Sequence, residues 1–153
     1  MTLIDDLRDG AVDTTERAQP NAPSILVIDD DPVHRMIICK LATKIGFEAV
    51  EAETCGDVVS LTAHDTYDCA TLDLALGERL GTEVLLHFSI CRFRSPIIIL
   101  SGADAGLAKS AFEFGQSLDL DMVDLVSKPV SPAELRERLA VIAEHWHSNR
   151  QSS

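Results

Sequence analysis

Short runs of apolar residues without polar alternation recur along this sequence, and each is followed by a stretch whose apolar residues return every three or four positions. This alternation constrains the fold more than any other feature. A strand that is apolar on both faces needs cover on both, and helices that follow each strand supply it, so the pattern implies repeated strand-helix units around a parallel sheet. Five rounds can be counted from Ser24 onward. Residues 25–28 read as the first strand. Asp31-Pro32 then offers a capping carboxylate and a proline at the first helical position, and the helix should run to about Ile45 with Ile37, Leu41 and Ile45 inward and Gly46 closing it. Strands are expected at 47–52, 69–74, 96–100 and 122–126. Helices are expected around Val58 and Leu61, around Val84, Leu85 and Phe88, and from a cap at Asp104 through Leu107, Ala111, Phe112 and Leu118. A final helix is expected from Ser131-Pro132, with Glu134 completing a capping box and Leu135, Leu139, Ile142 and Trp146 on one side. The unbroken Ile97-Ile98-Ile99-Leu100 places the fourth strand at the centre of the sheet.

A chain of 153 residues, 46% hydrophobic, can bury one ordinary core but not a second sizeable one. The expected organisation is an N-terminal arm or extension over residues 1–22, one domain over 23–147, and a tail over 148–153. On this reading no effector domain is attached. Acidic residues outnumber basic ones 25 to 13, for a net charge of -12. With no Lys/Arg run to follow a phosphate backbone, direct nucleic-acid binding is not expected. Nothing resembles a signal peptide or a membrane span, which points to the cytoplasm. Leu3, Ile4, Leu7 and Val12 can form one face of a short docking helix, or the terminus can be frayed. Cys39, Cys55, Cys69 and Cys91 lack metal-ligand spacing and read as buried reduced thiols. The five histidines, His34 among them, are scattered over helices and suggest no site.

In an open parallel sheet the residues just beyond the carboxyl ends of the strands share one crevice. Here those ends carry Asp29-Asp30-Asp31, then Asp73, then Ser101, then Lys128-Pro129. Acids, a hydroxyl and an amine therefore converge on one edge. Chance rarely produces that set in that order.

These residues, from ILVIDDDP through TLDLALGERLG and IIILSG to LVSKP, resemble the receiver domain of bacterial response regulators over about residues 24–146. The resemblance implies a flavodoxin-like, doubly wound five-stranded sheet of order 2-1-3-4-5. It further implies a two-component regulator whose Asp73 accepts a phosphoryl group from a histidine kinase, and which dephosphorylates itself slowly. Crowded carboxylates disfavour one another's ionisation unless a cation sits among them, and an oxygen ligand set suits Mg²⁺. By resemblance, Asp30 binds the metal directly, Asp29 directly or through water, and Asp73 with one oxygen, while the backbone carbonyl of Ala75 is a further ligand. Lys128 and Ser101 would contact the phosphoryl oxygens, and the Lys128–Pro129 bond is a candidate cis peptide. Downstream, the output is expected through protein partners, a phosphotransfer protein or another target, and the N-terminal arm with a lengthened fourth helix points to a homodimer.

The sequence departs from the family at three places. Leu125 stands where an aromatic side chain often accompanies the switch, so the aromatic half of that relay is missing. Residues 74–79 lack the usual Met-Pro pair, and Ala75 offers no polar side chain. The connection between Gly115 and Lys128 is about five residues longer than common, most simply taken up by an extra turn on the fourth helix. Two rival readings remain. Asp29-Asp30-Asp31-Pro32-Val33 also fits the D-x-D-x-[TV] pattern of haloacid-dehalogenase-like phosphatases with Asp29 as nucleophile, although this leaves Asp73 unexplained. The other is a degenerate receiver that is never phosphorylated.

Overall fold

The first apolar run forms β1 (Ser24–Ile28) in the computed structural model, which describes residues 21–76, 79–102 and 105–152. Four of the five residues of β1 are buried, as a strand covered on both faces requires. Asp31 caps α1 (Pro32–Ile45), accepting hydrogen bonds from the backbone N–H groups of Val33 and His34. Gly46, at φ +116°, closes the helix in the left-handed conformation, and its N–H reaches the carbonyls of Ala42 and Thr43. β2 (Glu48–Ala52), α2 (Cys55–His64) and β3 (Cys69–Asp73) follow. β4 (Ala75–Leu76) and β5 (Arg79–Leu80) pair antiparallel as a small hairpin before α3 (Thr82–Ile90). The chain continues through β6 (Ile97–Ser101), α4 (Ala105–Ser117), β7 (Met122–Ser127) and α5 (Pro132–Ser152).

Five strands pair in parallel in the order β2-β1-β3-β6-β7. With the hairpin set apart, this is the 2-1-3-4-5 order expected from the sequence. Successive side chains of a strand point to opposite faces, so each central strand feeds two cores. Leu26 and Ile28 of β1 join Leu72, Phe88 and Ile99 against α2, α3 and α4, while Ile25 and Val27 join Ile38, Leu41, Leu135 and Leu139 against α1 and α5. Phe88 has no exposed surface and stacks on Phe93 with ring centroids 4.2 Å apart. Burial of a side chain of this kind contributes roughly 1.5–3 kcal/mol.

Several local expectations need correction. The inward stripe of α1 runs through Ile38, Leu41 and Ala42, and Ile37 is 47% exposed. Four-residue steps drift around a helix of 3.6 residues per turn, so a stripe built on them slips off the core. For the same reason Leu107 lies on the surface while Ala108, Ala111 and Gly115 face inward. The Met122 side chain of β7 packs directly against Gly115, filling the space a Cβ there would take. A complete capping box appears at Thr54 and Asp57, where the sequence reading had none. At α5 only one limb is seen, the Glu134 N–H donating to Ser131 Oγ at 3.3 Å, and the Glu134 carboxylate faces Arg138. α4 ends at Ser117, after which Asp119 takes a positive φ of 64° before β7. Residues 148–152, taken as tail, continue α5. Of the four thiols, all free, Cys69 alone is buried and Cys91 is exposed. The arm over residues 1–20 and the expected cap at Asp104 lie outside the described residues.

Candidate functional site

The carboxyl end of β1 carries Asp29, whose backbone is held from two sides: its N–H donates to Ala52 O at 3.0 Å, and its carbonyl accepts from Arg35 Nη1 at 2.7 Å. Its side chain has no exposed surface. Asp73, the last residue of β3, is 4% exposed, and the end of the neighbouring β6 is Ser101. Across the next pairing Ser101 faces Ser127 in register, and its carbonyl accepts from the Lys128 N–H at 2.8 Å. This pairing sets the start of the Lys128 side chain, and the following Lys128–Pro129 bond is cis, as expected.

The side chains meet as the strand-end rule requires. Oxygen atoms of Asp29, Asp30 and Asp73 lie within 4.8 Å of one another. Lys128 Nζ reaches Asp73 Oδ2 at 3.0 Å and Asp29 Oδ2 at 3.4 Å. Asp73 Oδ1 accepts from the Ala75 N–H at 3.2 Å. Burial pushes the Asp73 carboxyl up from its ordinary value, an effect opposed by the Lys128 bond and charge and increased by the Asp29 carboxylate. Burial also acts to raise Asp29, yet the bonds from His34 and the Asp31 N–H, with the charge of Lys128, together hold it below the usual carboxylate range. The two acids are thus set apart by their partners, Asp29 firmly ionised and Asp73 held less comfortably so.

Three buried or half-buried carboxylates against one lysine leave an excess of negative charge, and hard oxygen donors this close fit a small divalent cation. Asp29, Asp30 and Asp73 are the residues that could hold it. Leu125, by contrast, lies within β7 opposite Ile99, 36% exposed, and takes no part in the hydrogen bonds of the cluster.

Two contributors escaped the sequence reading. His34, on the first turn of α1, places Nδ1 2.5 Å from Asp29 Oδ2. An Asp-to-His spacing of five across a strand-to-helix turn was the available signal, because the first helical turn lies over the strand end that precedes it. The second is Gly81, where a Cβ would stand 2.9 Å from Leu74 Cα and 3.0 Å from the Asp73 carbonyl oxygen. Only a glycine lets the chain return from the hairpin so close behind Asp73.

Comparison with known proteins agrees with this geometry. A family model described as the response regulator receiver domain matches residues 25–140. The regulatory protein VirG of Agrobacterium fabrum is 29% identical over 117 residues, covering 76% of this chain and 44% of VirG. The chain spans about half the length of the curated relatives it matches. Two solved structures share the fold. A CheY-like receiver domain protein from Methanospirillum hungatei superposes with a TM-score of 0.72 at 21% identity, covering 84% of this chain and 99% of the other. A Burkholderia pseudomallei response regulator, solved with a phosphorylated aspartic acid, a calcium ion and citrate, gives 0.66 at 19% identity, covering 84% and 72%. The strand order, the carboxylate edge and the family match over most of the chain together establish that this protein belongs to the response regulator receiver domain family.

Proposed function

We propose that the chain is a response regulator of a two-component system that accepts a phosphoryl group on Asp73 from a histidine kinase. The observation that carries this reading is the Lys128 ammonium bridging Asp73 and Asp29 inside a cluster of three carboxylates. An Asp73 oxygen attacks phosphorus, the bond from phosphorus to the donor's nitrogen breaks, and the imidazole leaves with its electron pair, taking up a proton. Such transfer needs positioning and charge neutralisation more than covalent help. Asp30, Asp29 directly or through water, one Asp73 oxygen and the Ala75 carbonyl would hold Mg²⁺, which would supply positive charge against the phosphoryl oxygens. Lys128 would supply the rest, and Ser101, one residue beyond the partner of Asp73 on β6, would donate a hydrogen bond to the product. The acyl phosphate is then lost slowly to water, with Ala75 offering that water no polar side chain.

Signalling through altered protein contacts is part of the same proposal, and it rests on the family and the site. Among the described residues no helix is long and apolar enough to cross a membrane, and a place in the cytoplasm beside a histidine kinase is proposed from the family alone. A phosphotransfer protein or another target, and a second copy of this chain, are the proposed downstream partners. The dimer is tested by light scattering with and without beryllofluoride, and a monomer under both conditions removes it.

The experiment for the main reading is incubation with Mg²⁺ and acetyl phosphate followed by intact-mass measurement. A gain of about 80 Da, one phosphoryl group, is expected in the wild type and absent in Asp73→Asn. No gain in the wild type would make the chain a receiver that is never phosphorylated. Loss of the gain in Asp29→Asn with retention in Asp73→Asn would favour the phosphatase chemistry.

A further inference from the structure

Both oxygens of the Asp29 carboxylate are tied to the first turn of α1 by a closed ring of hydrogen bonds. Oδ1 accepts from the Asp31 N–H at 2.9 Å. The Asp31 side chain, as helix cap, accepts from the His34 N–H at 3.4 Å. His34 then returns from its ring, Nδ1 lying 2.5 Å from Asp29 Oδ2. The other ring nitrogen, Nε2, is buried and has no hydrogen-bond partner among the described residues, so among them the bond to Asp29 is the ring's one polar attachment. Lys128 also reaches Oδ2, but at the longer 3.4 Å and with its shorter contact to Asp73. His34 is therefore the side chain that serves Asp29 alone.

We propose that His34 is a positioning residue that locks the Asp29 carboxylate in the rotation Mg²⁺ requires and thereby favours Mg²⁺ over Ca²⁺. This inference rests on the cation-assisted reading above. A buried carboxylate with one free dihedral can present either oxygen, or both, to a cation. With Oδ1 held by a backbone donor and Oδ2 by an imidazole, one arrangement remains. Mg²⁺ demands near-ideal octahedral geometry, whereas Ca²⁺ accepts variable coordination and bidentate carboxylates. Fixing Asp29 in this way helps the smaller ion and denies the larger one its bidentate alternative. Donors behind a metal-ligating group commonly change metal affinity 10–100-fold when removed.

The test is calorimetric titration of the full chain with Mg²⁺ and, separately, Ca²⁺, at one fixed pH, for the wild type and three variants. His34→Leu removes the donor. His34→Asn places an amide N–H near the position of Nδ1. His34→Gln places its amide where Nε2 lies, keeping polarity without the bond, and stands in should H34L fail to fold. The expected result is a Mg²⁺ dissociation constant raised about tenfold in H34L and H34Q, a clearly smaller rise for Ca²⁺, and recovery of most of the Mg²⁺ affinity in H34N. In the acetyl phosphate reaction the half-saturating Mg²⁺ concentration of H34L should rise by the same factor, with little change in the rate at saturation. An unchanged or lower Mg²⁺ constant in H34L and H34Q, equal rises for the two ions, or H34N as weak as H34L would each overturn the proposal. If the wild type is phosphorylated and binds Mg²⁺ normally, those results remove the role of His34 alone. A wild type that binds neither ion removes both this inference and the function it rests on.

Discussion

Replacing Asp73 by Asn should stabilise the metal-free protein, although it removes the partner of a half-buried lysine. At 4.8 Å or less from Asp29 and Asp30, the charged Asp73 meets repulsions of about 3.5 kcal/mol or more each at an effective dielectric of about 20. The attraction to Lys128 at 3.0 Å returns about 5.5 kcal/mol on the same scale. Two repulsions exceed one attraction by only roughly 1.5 kcal/mol, and the exposure of Asp30 reduces that margin. Burial of Asp73 adds to the cost, as the upward displacement of its carboxyl indicates. A net gain of about 1 kcal/mol for Asp73→Asn follows, which for a chain of this size is a Tm increase of about 2–4 °C. A carboxyl raised in the folded state contributes stability that is present below the unfolded value and lost as pH rises through the folded one. The advantage of the Asn variant in EDTA should therefore shrink on acidification toward the ordinary carboxylate range. Mg²⁺ should invert the order. At a hundredfold excess over its dissociation constant it stabilises the wild type by about 2.7 kcal/mol, and it should do far less for the variant. Urea and thermal unfolding in EDTA and in Mg²⁺ measure all of this. A variant less stable than the wild type in EDTA would refute the claim that negative charge in the cluster is under-compensated.

Gly81→Ala should cost about 1–3 kcal/mol by overpacking, because its Cβ meets backbone atoms at Leu74 and Asp73 that cannot swing aside; urea unfolding gives the loss, and phosphorylation should fall with it. Phe88→Ala removes a fully buried ring stacked on Phe93 and should lower stability by about 3–5 kcal/mol, read as a lower urea midpoint. Lys128→Met should leave Mg²⁺ binding in place by calorimetry while slowing phosphorylation about 100-fold or more, the usual effect of deleting one charge-stabilising group.

Much of the architecture was legible because the signals were local and redundant. Asp31, Pro32 and Gly46 mark both ends of α1 whatever the rest of the chain does, and the apolar 97–100 run, short and rich in β-branched isoleucine, favours a covered strand. The four strand-end motifs then located the site, since topology alone sends Asp29, Asp73, Ser101 and Lys128 to one edge. What the sequence hid depends on packing in three dimensions. Whether Ile37 or Ile38 faces inward is decided by the angle at which α1 meets α5 and the sheet. The β4–β5 hairpin has two residues in each strand, too few for a periodicity to register. Gly81 looked like an ordinary loop glycine until the Asp73 backbone was seen against it. His34 carried no motif, and its role emerged from the turn that folds the helix start back over the strand it follows.

The most direct test of the shared cation site is anomalous diffraction from Mn²⁺ introduced in place of Mg²⁺. One strong peak is expected in the crevice beyond β1 and β3, within about 2.2 Å of oxygens from Asp30 and Asp73, the range of hard-cation coordination. Crystals in which Mn²⁺ occupies a different part of the molecule and no peak lies beside Asp30 and Asp73 would contradict the account.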